Sequence, residues 1–216
     1  MNDDTLPLEW SAGRPDASVL LLHGLGADGH DLLPIAQALE IEHVRFVLPD
    51  APVRPISMYD GYPMRAWFDL THTDGDMQQD DAGLRAAREQ VSHWIRRETE
   101  RGVAVQRIAL AGFSQGAALA LYSGLTLGLP LAGIAALSGW LPHLVPSAPA
   151  VPVWAAHGSE DPVVPLAWSQ ASYAAQPQLG ITPHLWPIRH EICAEEIGAL
   201  RTWLQQQLHG QASALN

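Results

Sequence analysis

Apolar positions follow two different periods along this chain, and the changes of period mark its elements. Short unbroken apolar runs recur at Val19–Leu22, Val44–Leu48 (broken only by Arg45), Ile108–Ala111, Gly133–Leu137 and Val151–Ala156. Runs of this length, bounded by turn residues, predict strands buried on both faces. Pro183–Trp186 predicts a weaker one. Between the runs, apolar residues return at helical spacing. Leu32, Ile35, Ala36 and Leu39 predict a helix from about Asp31, and Leu84, Ala87, Val91, Trp94 and Ile95 one over residues 80–101, stopped by Gly102. Its charges are expected to form a solvated face. Further helices are predicted over Ala117–Leu127, around Leu166–Ala175, and over a last stretch carrying Ile197, Leu200, Leu204 and Leu208. Strands alternating with helices from Val19 onward predict an α/β fold, a mostly parallel central sheet with helices on both faces.

The alternation lapses once, between Pro49 and Met77. That passage is rich in proline and aromatics and is too long for a bare connection inside a compact domain, so a functional loop is expected. Its aromatic and methionine residues could wall an apolar pocket, or Trp67 and Phe68 could tuck into the core. The chain is expected to be a single domain over 1–216, with a core at about 18–209 and an active-site loop at about 49–77.

Charge narrows the class of partner. Twelve basic and 23 acidic residues give a net charge of −11, and no basic run interrupts the acidic background. That argues against nucleic acid and against stable association with anionic membranes. The N-terminus is acidic and polar, the reverse of a secretory leader, and no apolar run reaches the ~18 residues of a membrane span. The single cysteine, Cys193, excludes an internal disulfide framework and suits a reducing compartment, so a cytoplasmic location is expected.

Candidate chemistry begins where the apolar run Ile108–Ala111 meets a helix, at Gly112-Phe113-Ser114-Gln115-Gly116. A turn this sharp strains its central residue, and glycine two places to either side lets strand and helix approach. It presents the Ser114 hydroxyl near a helix N-terminus, with the Gln115 amide aimed at negative charge on a bound carbonyl. After the first strand comes His23-Gly24-Leu25-Gly26-Ala27-Asp28-Gly29, which lacks the G-x-G-x-x-G spacing of a dinucleotide site. The amide of Leu25 is the candidate second donor of an oxyanion hole.

A serine nucleophile needs a base, and the base needs a carboxylate to orient it. With this elbow the chain order is serine, acid, histidine, which leaves His143, His157, His184, His190 and His209 as bases. His209 ends the terminal helix, His184 falls inside a strand pattern, His143 has no patterned acid nearby, and His157 precedes the acid. Only His190 sits after the last strand and before the last helix. Of the adjacent acids Glu160 and Asp161, Asp161 is better placed, because Pro162 holds its backbone in an extended turn conformation.

As a set, Leu22-His23-Gly24-Leu25-Gly26, Ala51-Pro52-x-Arg54-Pro55, Met64-x-x-Trp67-Phe68-Asp69, the elbow, Ser138-Gly139-Trp140-Leu141-Pro142 and His157-Gly158-x-x-Asp161-x-x-Val164-Pro165 resemble the acyl-protein thioesterase and bacterial carboxylesterase (phospholipase/carboxylesterase) family of α/β-hydrolases. The resemblance runs from Leu22 to about Leu204 and implies the α/β-hydrolase fold. It implies Ser114 as nucleophile, Asp161 as acid, His190 as base, the Leu25 and Gln115 amides as oxyanion hole, and no cofactor or metal. Trp67, Met64, Tyr59 and Trp140 are expected around the substrate. From the aromatic and methionine side chains of the 49–77 passage, a short- to medium-chain acyl ester or thioester is expected as substrate, on a small molecule or an acylated protein, and a homodimer is compatible. The alternatives are a long-chain acyl-protein thioesterase or lysophospholipase, or an inactive hydrolase fold used for binding. The chain departs from the family in Tyr59, where Asn is common, in Ala117, which replaces a second glycine, in Pro187-Ile188-Arg189 where Met-Gly usually precedes the base, and in Glu191, where Ser often follows it.

Overall fold

The computed structural model describes residues 6–73, 76–142 and 151–209. In chain order the first elements are β1 (Leu8–Leu22), α1 (Gly29–Leu39), β2 (Glu42–Leu48), β3 (Val53–Ile56), β4 (Tyr62–Arg65), β5 (Leu70–Thr73), β6 (Asp76–Gln79) and α2 (Asp81–Glu100). There follow β7 (Ile108–Phe113), α3 (Gln115–Thr126), β8 (Gly133–Leu137), β9 (Val153–Gly158), α4 (Leu166–Ala174), β10 (His184–Trp186) and α5 (Ala194–His209).

Six strands make the central sheet in the order β10-β9-β8-β7-β1-β2, and every pairing from β1 to β10 through β7 is parallel. This is the mostly parallel sheet of the α/β-hydrolase fold. Strand alternation sorts its side chains into two cores. Leu20, Leu22, Leu110, Ile134 and Ala136 pack with Leu84 and Val91 of α2 and Leu119, Leu121 and Leu125 of α3. Val19, Leu21, Ala109, Ala111, Ala135 and Leu137 point the other way, against Leu32, Ala36 and Leu39 of α1 and Leu200, Leu204 and Leu208 of α5. Both faces are covered, which is why the central strands read as unbroken apolar runs.

Three expectations need correcting. The first strand is far longer than Val19–Leu22. Leu8 to Ser11 pair with β2 antiparallel (Leu8 opposite Leu48, Trp10 opposite Phe46), and beyond Gly13 (φ +78°) the chain returns so that Ala17 lies opposite Val44 and Leu20 opposite Val47. β2 therefore lies between the two halves of β1. The outer half carries Glu9, Ser11 and Arg14 and is only partly covered, so no apolar run announces it.

The passage 49–77 is not a bare loop. Its ladders are Val53 to Arg65, Arg54 to Met64 and Ile56 to Tyr62 in the first hairpin, and Leu70 to Gln79 and Thr71 to Gln78 in the second. Asp69 closes the first hairpin, accepting from the Ser57 amide (2.8 Å) and the Ser57 hydroxyl (2.5 Å).

The charges of α2 do not all face solvent. Glu98 is fully buried, accepting from Ser18 Oγ (2.6 Å), Arg45 Nη1 (2.6 Å) and Arg101 Nη1 (3.0 Å). Glu9 meets Arg97 and Arg101 (2.7 Å each) and Arg45 (3.6 Å), so the network ties the outer half of β1 and β2 to α2.

Candidate active site

The elbow sits where β7 hands over to α3. Ser114 holds φ 56° and ψ −119°, a conformation outside the regions that residues with a Cβ favour. The glycines explain why the turn closes. A Cβ on Gly112 would lie 2.3 Å from the Gly116 carbonyl, and one on Gly116 would lie 2.1 Å from the Leu22 oxygen. The Ser114 amide donates to Leu137 O (2.9 Å), and its carbonyl accepts from the amides of Ala117 (3.0 Å) and Ala118 (3.2 Å). That carbonyl shares a peptide plane with the Gln115 amide. Fixing the C=O inside the first turn of α3 therefore directs the Gln115 N–H out of the helix, where no intrahelical acceptor exists.

The turn after β1 repeats the logic. Gly24 O shares its peptide plane with the Leu25 amide, and it accepts from His23 Nδ1 (2.7 Å) and the Ala27 amide (3.3 Å). Gly26 N–H donates to Arg65 O (2.8 Å). His23 is fully buried; its Nε2 accepts from the Ala51 amide (2.9 Å), so Nδ1 carries the ring proton. Burial is the main reason its pKa is lowered, which keeps the ring neutral in this role.

The acid and the base meet after β9 and β10. His190 Nδ1 lies 2.7 Å from Asp161 Oδ2, and a carboxylate only accepts, so this nitrogen bears a proton and Nε2 is the one that holds the lone pair in the neutral ring. The other Asp161 oxygen accepts from the amides of Val163 (2.8 Å) and Val164 (2.9 Å). Burial works to raise the pKa of Asp161, but the His190 N–H and these amides outweigh it, and the carboxyl is held below its ordinary value. Glu160, its neighbour, is exposed. The Phe113 ring packs on His190 at a centroid distance of 4.7 Å. His157 is buried beneath the acid turn with Nε2 donating to Val164 O (2.8 Å), and His184 stacks on Trp154 at 5.5 Å. His143 lies outside the described residues.

Ser114, Gln115, Leu25 and His190 line one cavity of about 410 Å³ at the carboxyl ends of the strands. Its wall is mainly apolar, with Leu32, Ile35, Met58, Leu70, Val164 and Ile192 around the polar centre. Tyr59 and Trp140 line it, and Trp140 stacks on Trp168 at 4.7 Å. Trp67 and Met64 do not line it. Trp67 is fully buried in the core, with Phe68 beside it and its indole N–H donating to His23 O (2.8 Å), and Met64 stays half-buried in β4. The side chain of Gln115 went unread in the sequence; its Oε1 accepts from the Trp67 amide (2.9 Å) and its Nε2 donates to Phe68 O (2.8 Å). A buried glutamine in an otherwise small-residue helix start, Gln-Gly-Ala-Ala, was the available signal.

A sheet of this order with a serine elbow and a histidine–aspartate pair at its carboxyl edge belongs to an α/β-hydrolase, and the chain is an ester hydrolase. It is a member of the Phospholipase/Carboxylesterase family, whose profile matches residues 8–208. Acyl-protein thioesterase 1 of Mycosarcoma maydis is 34% identical over 229 residues, covering 93% of this chain and 95% of that protein. Acyl-protein thioesterase 1 of Cryptococcus neoformans is 35% identical over 222 residues, covering 89% and 92%. The crystal structure of Zea mays acyl-protein thioesterase 2 superposes with a TM-score of 0.81 at 26% identity, covering 93% of this chain and 98% of that one. These comparisons support hydrolysis of esters or thioesters.

Proposed function

We propose that the chain is a serine carboxylesterase or thioesterase that cleaves short- to medium-chain acyl esters and thioesters through an acyl-enzyme. Ser114 is the nucleophile, His190 the base and Asp161 the orienting acid, with the amides of Leu25 and Gln115 as oxyanion hole. The observation that carries this reading is the 2.7 Å contact of His190 Nδ1 with Asp161 in the cavity that Ser114 also lines. Nε2 of His190 takes the Ser114 proton as Oγ bonds to the carbonyl carbon, and the carbonyl π electrons move onto oxygen. The two amides hold that oxyanion. Collapse re-forms the carbonyl and expels the alcohol or thiol, which leaves with the proton from His190. Water then repeats the sequence on the acyl-enzyme and frees the acid.

The names of the two relatives, acyl-protein thioesterase 1, favour a second reading, an acyl thioester carried on a protein. The size of the cavity favours the shorter chains. Reaction with a fluorophosphonate tests the nucleophile. Intact-mass spectrometry is expected to find a single adduct, absent from Ser114→Ala; an adduct on another residue would overturn the assignment.

A further inference from the structure

We propose that Trp67 is a positioning residue: with the side chain of Gln115 it forms a strap that sets the spacing between the two oxyanion amides. The inference rests on the reading of the Leu25 and Gln115 amides as the oxyanion hole. Those amides come from separate turns, one after β1 and one after β7; the ladder between these strands ends at Leu22 opposite Gly112, and beyond it the strap links the two turns. The Trp67 indole N–H donates to His23 O (2.8 Å), the peptide oxygen just before the Gly24–Leu25 plane. The Trp67 backbone N–H donates to Gln115 Oε1 (2.9 Å), and Gln115 Nε2 returns to Phe68 O (2.8 Å). The Trp67 ring also packs on the His23 ring at 4.9 Å.

All the groups involved are buried, with Gln115 at 1% exposure and His23, Trp67 and Phe68 at 0%. Buried hydrogen bonds between neutral groups are directional and have no water to replace them, so each constrains position as well as energy. The strap uses one donor and one acceptor of the glutamine amide, and it needs an indole N–H at the other end. Glutamate would lose the donor, methionine both groups, and phenylalanine the indole N–H. An oxyanion hole works only when its donors lie within a few tenths of an ångström of their positions around the developing charge. A spacing error therefore costs the transition state and leaves ground-state binding nearly untouched.

The test compares wild type with Trp67→Phe and Gln115→Met. Activity is expressed per Ser114 titrated by a fluorophosphonate, so that misfolded protein drops out. Each protein is also inhibited with a soluble acyl trifluoromethyl ketone. Ser114 Oγ bonds to the ketone carbon, the C=O π bond opens to an oxyanion, and the hydroxyl proton passes to His190.

The strap predicts kcat lower by about 10- to 100-fold, below the ~10²- to 10³-fold of losing a donor outright. KM should stay within about threefold, and ketone affinity should fall in parallel with kcat. The pH profile of kcat/KM should not move, because His190 and Asp161 are untouched. Gln115→Asn keeps a neutral amide but is one methylene too short to reach both Trp67 and Phe68, and supplies a third variant should either of the others fail to fold. Unchanged kcat per titrated site, a loss confined to KM, or unchanged ketone affinity overturns the strap. Failure of the wild-type enzyme to bind the ketone through Ser114 overturns the functional reading beneath it instead.

Discussion

Asp161 and Glu160 are neighbours of the same chemical type, and the fold separates them completely. One is buried with three hydrogen-bond donors on its carboxylate; the other is exposed. Asp161→Asn keeps the shape but replaces an acceptor with an amide, so the imidazole can take the wrong tautomer. Steady-state kinetics should show kcat down by about 10⁴, the size of the equivalent loss in another serine hydrolase, against less than about twofold for Glu160→Gln. The reverse ranking would mean that the acid is misassigned by one residue. Glu196 poses a different question. It is 1% exposed at the start of α5, and burial, offset in part by the Cys193 amide, pushes its pKa up to about 7. A raised folded-state pKa means that the native protein holds this proton more tightly than the unfolded chain does. The contribution is therefore whole below pH ~4.5 and is lost as pH rises through about 7, at a cost of about 3 kcal/mol from pKa values of 4.5 and about 7. Glu196→Gln should leave stability at pH 5 nearly unchanged and raise it at pH 8, read as Tm by calorimetry. Parallel pH curves for the two proteins would refute this.

Among the elements, the β7–α3 elbow was legible because its geometry tolerates so few residues. A Cβ on Gly116 would lie 2.1 Å from Leu22 O and one on Gly112 2.3 Å from the Gly116 carbonyl, so both flanks of Ser114 need glycine. Gly116→Ala should lose about 3 kcal/mol or more in chemical denaturation, at the upper end for forcing extra volume into a packed site. Gly198→Ala in α5 should gain up to about 1 kcal/mol, since a Cβ there meets nothing within 4 Å and helix propensity favours alanine. If both changes destabilise equally, packing at the elbow does not explain Gly116. The central strands and the last helix were equally readable, because each buries a face whose period is fixed. The outer half of β1 was not: Glu9, Ser11 and Arg14 present a half-exposed ribbon whose pairing with β2 depends on residues far along the chain. Glu98 misled for a similar reason. Its partners Ser18 and Arg45 are distant in sequence, so helical period alone placed it with the solvated charges. The same limit applies at the site. Ser114, Asp161 and His190 are singled out by chain order and turn chemistry, whereas the choice between pocket wall and core for Trp67 turns on contacts such as its hydrogen bond to His23, which no local pattern encodes.

At the scale of the molecule, two quantities bear on substrate: the charge of −11 and the cavity of about 410 Å³. The charge opposes concentration on an anionic bilayer, and no described helix is long and apolar enough to cross a membrane. At about 410 Å³ the cavity lies toward the lower end of the ~300–1,000 Å³ of small-molecule sites, and an acyl chain of about four to eight carbons is the expected optimum. Each methylene buried against Leu32, Ile35, Met58 or Ile192 contributes at most ~0.8 kcal/mol, about fourfold in kcat/KM. With p-nitrophenyl esters kept below micelle-forming concentrations, kcat/KM should rise from acetyl by up to that factor per carbon. It should then level off between about C4 and C8 and fall for longer chains, once the cavity is full. Tyr59, which lines the cavity at its exposed edge, should set part of that limit, so Tyr59→Asn is expected to move the optimum to longer chains. A rise that continues without a break to palmitoyl substrates would refute the short pocket and favour a depalmitoylating enzyme.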